Sequence, residues 1–133
     1  MAAGELARVY THFHKYAEAQ ASFAIATRIF NRNPSQMPLI YSMILSYLGD
    51  YYMALGDWAN AQAQYGEALK IQGNILGDHR AVAASMMSLS NALKKLHLKE
   101  EARDLMARAK KILLAEETRF QENTVDVLAL RRQ

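Results

Sequence analysis

Residues 45–69 read Leu45-Ser46-Tyr47-Leu48-Gly49-Asp50-Tyr51-Tyr52-Met53-Ala54-Leu55-Gly56-Asp57-Trp58-Ala59-Asn60-Ala61-Gln62-Ala63-Gln64-Tyr65-Gly66-Glu67-Ala68-Leu69. Leu45, Leu48, Gly49 and Tyr52 fall at i, i+3, i+4 and i+7, which is one face of a helix. Ala61, Tyr65, Ala68 and Leu69 line one face of a second helix. Between them, Gly56 releases the chain from the first helix and Asp57 offers a carboxylate to the free amides of the next. The stretch is a helical hairpin whose two apolar faces need each other.

The same order returns on both sides. Forty-one residues on, it reads Met86, Leu89, Ser90 and Leu93, then Ala102, Met106 and Ala109. Forty-two residues back, it reads Ala3, Leu6, Ala7 and Tyr10, then Ala19, Phe23 and Ala26. Small residues recur at matched places (Ala7, Gly49, Ser90; Ala19, Ala61, Ala102), where two helices can approach closely. Large ones recur at others (Tyr10, Tyr52, Leu93; Phe23, Tyr65, Met106) and fill the remaining volume. Self-similarity at a fixed period is the mark of a repeat architecture. Helices are predicted near 2–13, 16–31, 36–55, 58–75, 79–96 and 99–119, with Ser35 and Asp78 as further caps and Pro38 in a first turn. Residues after Asn123 are predicted to leave the last helix, because Asn123-Thr124 are weak helix formers and Val125-Asp126-Val127 alternates like a strand. Removed from the helix, Val125, Val127, Leu128 and Leu130 either fray or dock on the solenoid's end.

Composition supports an all-α reading. The chain has 133 residues, 51% of them apolar, with only two prolines and six glycines. Cysteine is absent, which removes disulfides, thiolate metal sites and cysteine nucleophiles and suits a reducing compartment. No apolar run approaches the roughly 20 residues of a membrane span, and the N-terminus does not read as a secretory signal, so a cytoplasmic location is expected. Residues 1–93 carry six Lys/Arg and six Asp/Glu, and residues 94–133 carry ten and seven, so the net charge of +3 lies entirely in the second part. There Lys94, Lys95, Lys99, Lys110 and Lys111 alternate with Glu100, Glu101, Asp104, Glu116 and Glu117. The pattern reads as a solvated helix face, not a nucleic-acid stripe.

Nothing in the chain spells a catalytic, cofactor or metal site. His12 and His14 stand two apart and diverge on a helix; His79 and His97 have no partner at ligand spacing. No nucleophile elbow or phosphate-cradling glycine loop is present. Glu100-Glu101 and Glu116-Glu117 are adjacent pairs, and adjacent helical residues point apart.

The quoted stretch resembles the tetratricopeptide repeat family, through Leu48-Gly49, Tyr52, Gly56-Asp57-Trp58, Ala61, Tyr65 and Ala68. Residues 3–29 and 86–112 fit more loosely, with His14-Lys15 and His97-Leu98 where the family often has a glycine turn. The period of 41–42, with Ile75-Leu76-Gly77-Asp78-His79, looks like the kinesin-light-chain-type variant with longer helices. The resemblance implies an α-solenoid, a right-handed superhelix of about six helices. It divides the chain into three repeats over 1–118 (about 1–34, 35–77 and 78–118), then the end of the last helix and a tail over 119–133. It also implies a protein or peptide partner in a concave groove lined by each repeat's first helix. The matching places are Arg8, Thr11, Ser46, Tyr47, Asp50, Met53, Met87, Ser88, Asn91, Lys94 and Lys95. Some relatives clamp a peptide carboxylate at places that here hold Gly4, Arg8, Tyr47, Ala84 and Ser88, of which Arg8 alone is suited. Kinesin light chains carry a run of groove asparagines; here Asn91 stands alone. Finally, Val9, Tyr10, Phe13, Tyr16, Phe23, Ile25, Ile29 and Phe30 give the first hairpin more apolar surface than one neighbour covers, which predicts either upstream repeats in a longer parent protein or, for the isolated chain, self-association through the N-terminal repeat. The alternative to a binding module is a structural segment of a longer array.

Overall fold

The computed structural model describes residues 2–32 and 37–131, with the side chains of 31, 32, 125–128 and 131 outside the described residues. Its helices are α1 (Ala3–His12), α2 (Tyr16–Arg32), α3 (Pro38–Leu55), α4 (Trp58–Leu76), α5 (Arg80–Lys95) and α6 (Lys99–Arg131), with no strand among the described residues. They pair as antiparallel hairpins α1–α2, α3–α4 and α5–α6. Hairpin meets hairpin where α3 packs on α1 and α2, and where α5 packs on α4.

The matched small residues are where the helices close together. Ala7, Ala19, Ala61, Ala68 and Ala109 are fully buried, and Ser90 and Ala102 nearly so. The large partners fill the spaces between. Phe23 and Ala26 pack with Ile44 and Tyr51 across the first junction. Tyr65 and Ala61 receive Ala92 and Leu89 across the second.

All three hairpin turns share one geometry. His14, Gly56 and His97 have φ of 60°, 76° and 64°, in the left-handed region. The next amide in each bonds five residues back: Lys15 to Tyr10 at 2.8 Å, Asp57 to Tyr52 at 2.9 Å, and Leu98 to Leu93 at 3.0 Å. This is the Schellman closure that glycine makes easily and that histidine here adopts twice. The Asp57 carboxylate caps α4 by accepting from the Asn60 amide at 3.3 Å, and Pro38 opens α3.

Two expectations are corrected. Asp78 does not cap α5; the neighbouring His79 does, its Nδ1 accepting from the Ala81 amide at 3.0 Å. Nor does the last helix stop near 119 or at Asn123: α6 runs to Arg131. A nucleated helix gains one hydrogen bond for each residue added, and weak formers cost at most about 0.7 kcal/mol each. The Thr124 hydroxyl donates to the Phe120 carbonyl at 2.9 Å within that helix. Of the residues expected to fray or dock, Leu130 is 69% exposed; the side chains of Val125, Val127 and Leu128 lie outside the described residues, as does Ser35.

Candidate functional site

The residues expected to form a groove fall into three groups. Arg8, Tyr47 and Asp50 form one. The Arg8 guanidinium lies over the Tyr47 ring, 5.6 Å from its centroid, and so joins α1 to α3. Its other contact is Glu5 at 3.5 Å, the sole ion pair among the described residues. One turn beyond Tyr47, Asp50 accepts a hydrogen bond from the Tyr65 hydroxyl, which joins α3 to α4. Asp50 is exposed. Partial burial of its carboxyl against its neighbours pushes its pKa up from the ordinary carboxylate range, against smaller opposing effects of the Tyr65 hydrogen bond and the Arg8 charge. Burial, with the hydrogen bond and charge of Asp50, pushes the Tyr65 phenol up as well.

A second group is engaged in packing. Thr11 is 9% exposed, and its hydroxyl donates to the Ala7 carbonyl at 2.9 Å, so it presents no free polar atom to a groove. Met53 is half-buried beside Tyr52 and Leu89 at the second junction. Ser46 and Ser88 are half-buried.

The third group is open. Met87 is 37% exposed, and Asn91, Lys94 and Lys95 are exposed beside it on α5. The Lys95 ammonium stands 5.3 Å from the Trp58 ring centroid and ties α5 to the start of α4. Lys94, on one face with Met87 and Asn91, also lines a groove with Lys99, Arg103 and Lys110.

The charge alternation in this region is thus sorted in space. Lys94, Lys99, Arg103 and Lys110 collect on the free side of the last hairpin. Glu67, Glu101 and Asp104 collect in a different groove, where α4 meets α5 and α6. A helix advances 100° per residue, so neighbours in sequence part company around it.

The apolar patch expected on the first hairpin is smaller than its sequence implied. Phe23 is 3% exposed. Tyr10, Tyr16 and Phe30 are half-buried against the core, and Phe30 stacks on Tyr41 with centroids 5.5 Å apart. Phe13, Ile25 and Ile29 remain exposed at 65%, 50% and 57%. Among the described residues no three His, Cys, Asp or Glu side chains gather as a metal site would require. No described helix is long and apolar enough to cross a membrane.

Stacked helical hairpins, with small residues at each crossing and a polar row along successive first helices, define an all-α repeat protein of the solenoid class. The sequence profile of the tetratricopeptide repeat matches residues 41–115, and the chain belongs to that family. Among solved structures, the crystal structure of BtubC (BKLC) from P. vanneervenii superposes with a TM-score of 0.78 at 22% identity, covering 86% of this chain and 46% of that one. The chain thus spans less than half the length of that relative, and the likeness is one of fold. No curated protein matches.

Proposed function

We propose that the chain is a protein- or peptide-binding scaffold without chemistry of its own, working in the cytoplasm. Its partner lies along the first helices, over Arg8, Ser46, Tyr47, Asp50, Met87, Asn91 and Lys95. The observation that carries this reading is the Arg8–Tyr47–Asp50 cluster. It puts a cation, an aromatic ring and a carboxylate side by side on one face and bridges two repeats. Such a cluster is already ordered before a partner arrives, which lowers the cost of binding. The 41- and 42-residue spacing of the repeats supports a kinesin-light-chain-type variant.

Aromatic side chains dominate binding hot spots, and Tyr47 is the half-buried aromatic of this row. Tyr47→Ala should weaken a captured partner by about 1–3 kcal/mol while the far-ultraviolet helical signal is kept. Unchanged affinity would remove the partner from this face. The second reading, a structural segment of a longer array, draws support from the 46% coverage of the solved relative. It predicts that the same substitution changes no captured protein at all.

A further inference from the structure

The second hairpin shows what covers a hairpin's far side in this chain. There α5 lays Ala92 and Leu89 over Tyr52, Met53, Ala61 and Tyr65, and Val82 and Ala83 near Leu69. Counting forward 41 residues carries Gly49, Met53, Trp58, Ala61, Gln62, Tyr65, Gly66 and Leu69 onto Ser90, Lys94, Lys99, Ala102, Arg103, Met106, Ala107 and Lys110. Those eight are the lining of an open groove of about 490 Å³ between α5 and α6. The groove is therefore the third copy of a surface whose first two copies are covered in part by α3 and α5: Phe23, Ala61 and Tyr65 are buried there, while Gln20 and Ala24 stay exposed and Gln62 and Gly66 line an open groove.

Its chemistry differs from theirs in one respect. Met53, Trp58, Gln62 and Leu69 are neutral, and so are Thr11, Tyr16, Gln20 and Thr27, their counterparts in the first hairpin. In the third copy all four places are cations, Lys94, Lys99, Arg103 and Lys110, around a floor of Ala102, Met106 and Ala107. None of the four is in an ion pair among the described residues, and no carboxylate lines the groove. A solvated face that needed only solubility would be served by mixed charges. A rim of one sign around an apolar floor selects its occupant's sign as well.

We infer that this groove between α5 and α6 is a docking site for an acidic amphipathic helix of a partner protein, laid as α5 is laid on α4, with carboxylates flanking its apolar stripe. A second copy of this chain is a poor occupant. Its first hairpin would bring Arg8, Lys15 and Arg28 against Glu5 and Glu18, and so would add positive charge to the rim. The site lies on the last described hairpin, meets the candidate row of the first helices only at Lys94, and does not rest on the function proposed for that row.

The test uses two fluorescein-labelled peptides of the 16-residue length of α5, alanine-rich with a leucine stripe. One carries glutamates beside the stripe and the other lysines. Fluorescence anisotropy with the whole chain should show the glutamate peptide binding at least tenfold tighter than the lysine peptide, with affinity falling as salt is raised. Lys99→Glu with Arg103→Glu should reverse that preference, and Tyr47→Ala should leave it unchanged. Both substituted residues are exposed, and circular dichroism checks that the variants keep the fold. Equal binding of the two peptides, or no binding of either, overturns the proposal. So does a labelled single-stranded oligonucleotide that binds more tightly than the glutamate peptide, which would make the cations a nucleic-acid contact. Loss of binding in Tyr47→Ala alone would move the peptide to the concave row.

Discussion

Gly49 of α3 packs directly against the Tyr65 ring of α4. A Cβ there would sit 2.5 Å from Cε1 of Tyr65 and 2.7 Å from its Cδ1, and Tyr65 is 3% exposed with its hydroxyl bound to Asp50. The ring has nowhere to retreat. Gly49→Ala should therefore destabilise the chain by about 1–3 kcal/mol, as overpacking does. Gly66, the next residue after Tyr65 on α4, has no atom of another element or side chain within 4 Å of a built Cβ. Gly66→Ala should stabilise by about 0.5–1 kcal/mol through helix propensity alone. Urea denaturation reads both; equal effects would mean that the close approach is not there. Asp50 makes the second residue-scale prediction. Its pKa is raised in the folded chain, so the folded state holds this proton to higher pH than the unfolded state does. Stability from this group is then greatest below the unfolded value of about 4 and declines as pH rises through the folded value. Asp50→Asn keeps an acceptor for Tyr65 and removes the decline. Its stability relative to wild type should be higher at pH 7 than at pH 3.5; a relative stability that does not change with pH would count against the shift.

Helices meet through polar contacts as well as apolar ones. Gln72, buried on α4, donates from Nε2 to the Ser42 hydroxyl of α3 at 3.2 Å and accepts from the Ser85 hydroxyl of α5. One amide thus ties the second hairpin to the third, and no buried side-chain polar atom is left unpaired among the described residues. Gln72→Ala leaves Ser85 without this acceptor and opens a void, and should cost about 1–3 kcal/mol. A loss below 0.5 kcal/mol, the usual size of a surface effect, would show that water replaces the amide. Another link runs from α6 back to the start of α5, where the Glu116 carboxylate accepts from the Arg80 amide at 3.1 Å. Beyond that point α6 continues with Phe120 71% and Leu130 69% exposed.

At the scale of the molecule, spacing made the hairpins readable. Apolar residues at helical intervals, small residues at crossings and Gly56-Asp57 at a turn are local signals, and each states its own physics. The His14 and His97 turns were harder to read, because left-handed backbone is written plainly only by glycine. The end of α6 was missed because propensity is a weak local preference, while extension of an existing helix is cooperative. The candidate row was carried over from the family resemblance, which could not tell that Thr11 is buried. Nor could it tell that Arg8, Tyr47 and Asp50 converge from two helices that are distant in sequence. The cationic groove had a signal in the chain: neutral residues at four matched places in two repeats give way to Lys94, Lys99, Arg103 and Lys110 in the third. It was hidden by reading charges along the sequence instead of around the helix.

The claim that a partner lies on the concave face is tested most directly by hydrogen–deuterium exchange of the chain, free and bound to a protein captured from its source cell. The account predicts slowed exchange in α1, α3 and α5, greatest around Arg8, Tyr47–Asp50 and Met87–Asn91, with α2 and α4 unchanged. Protection confined to the outer surfaces of α2 and α4, with α1, α3 and α5 exchanging as in the free chain, would contradict it.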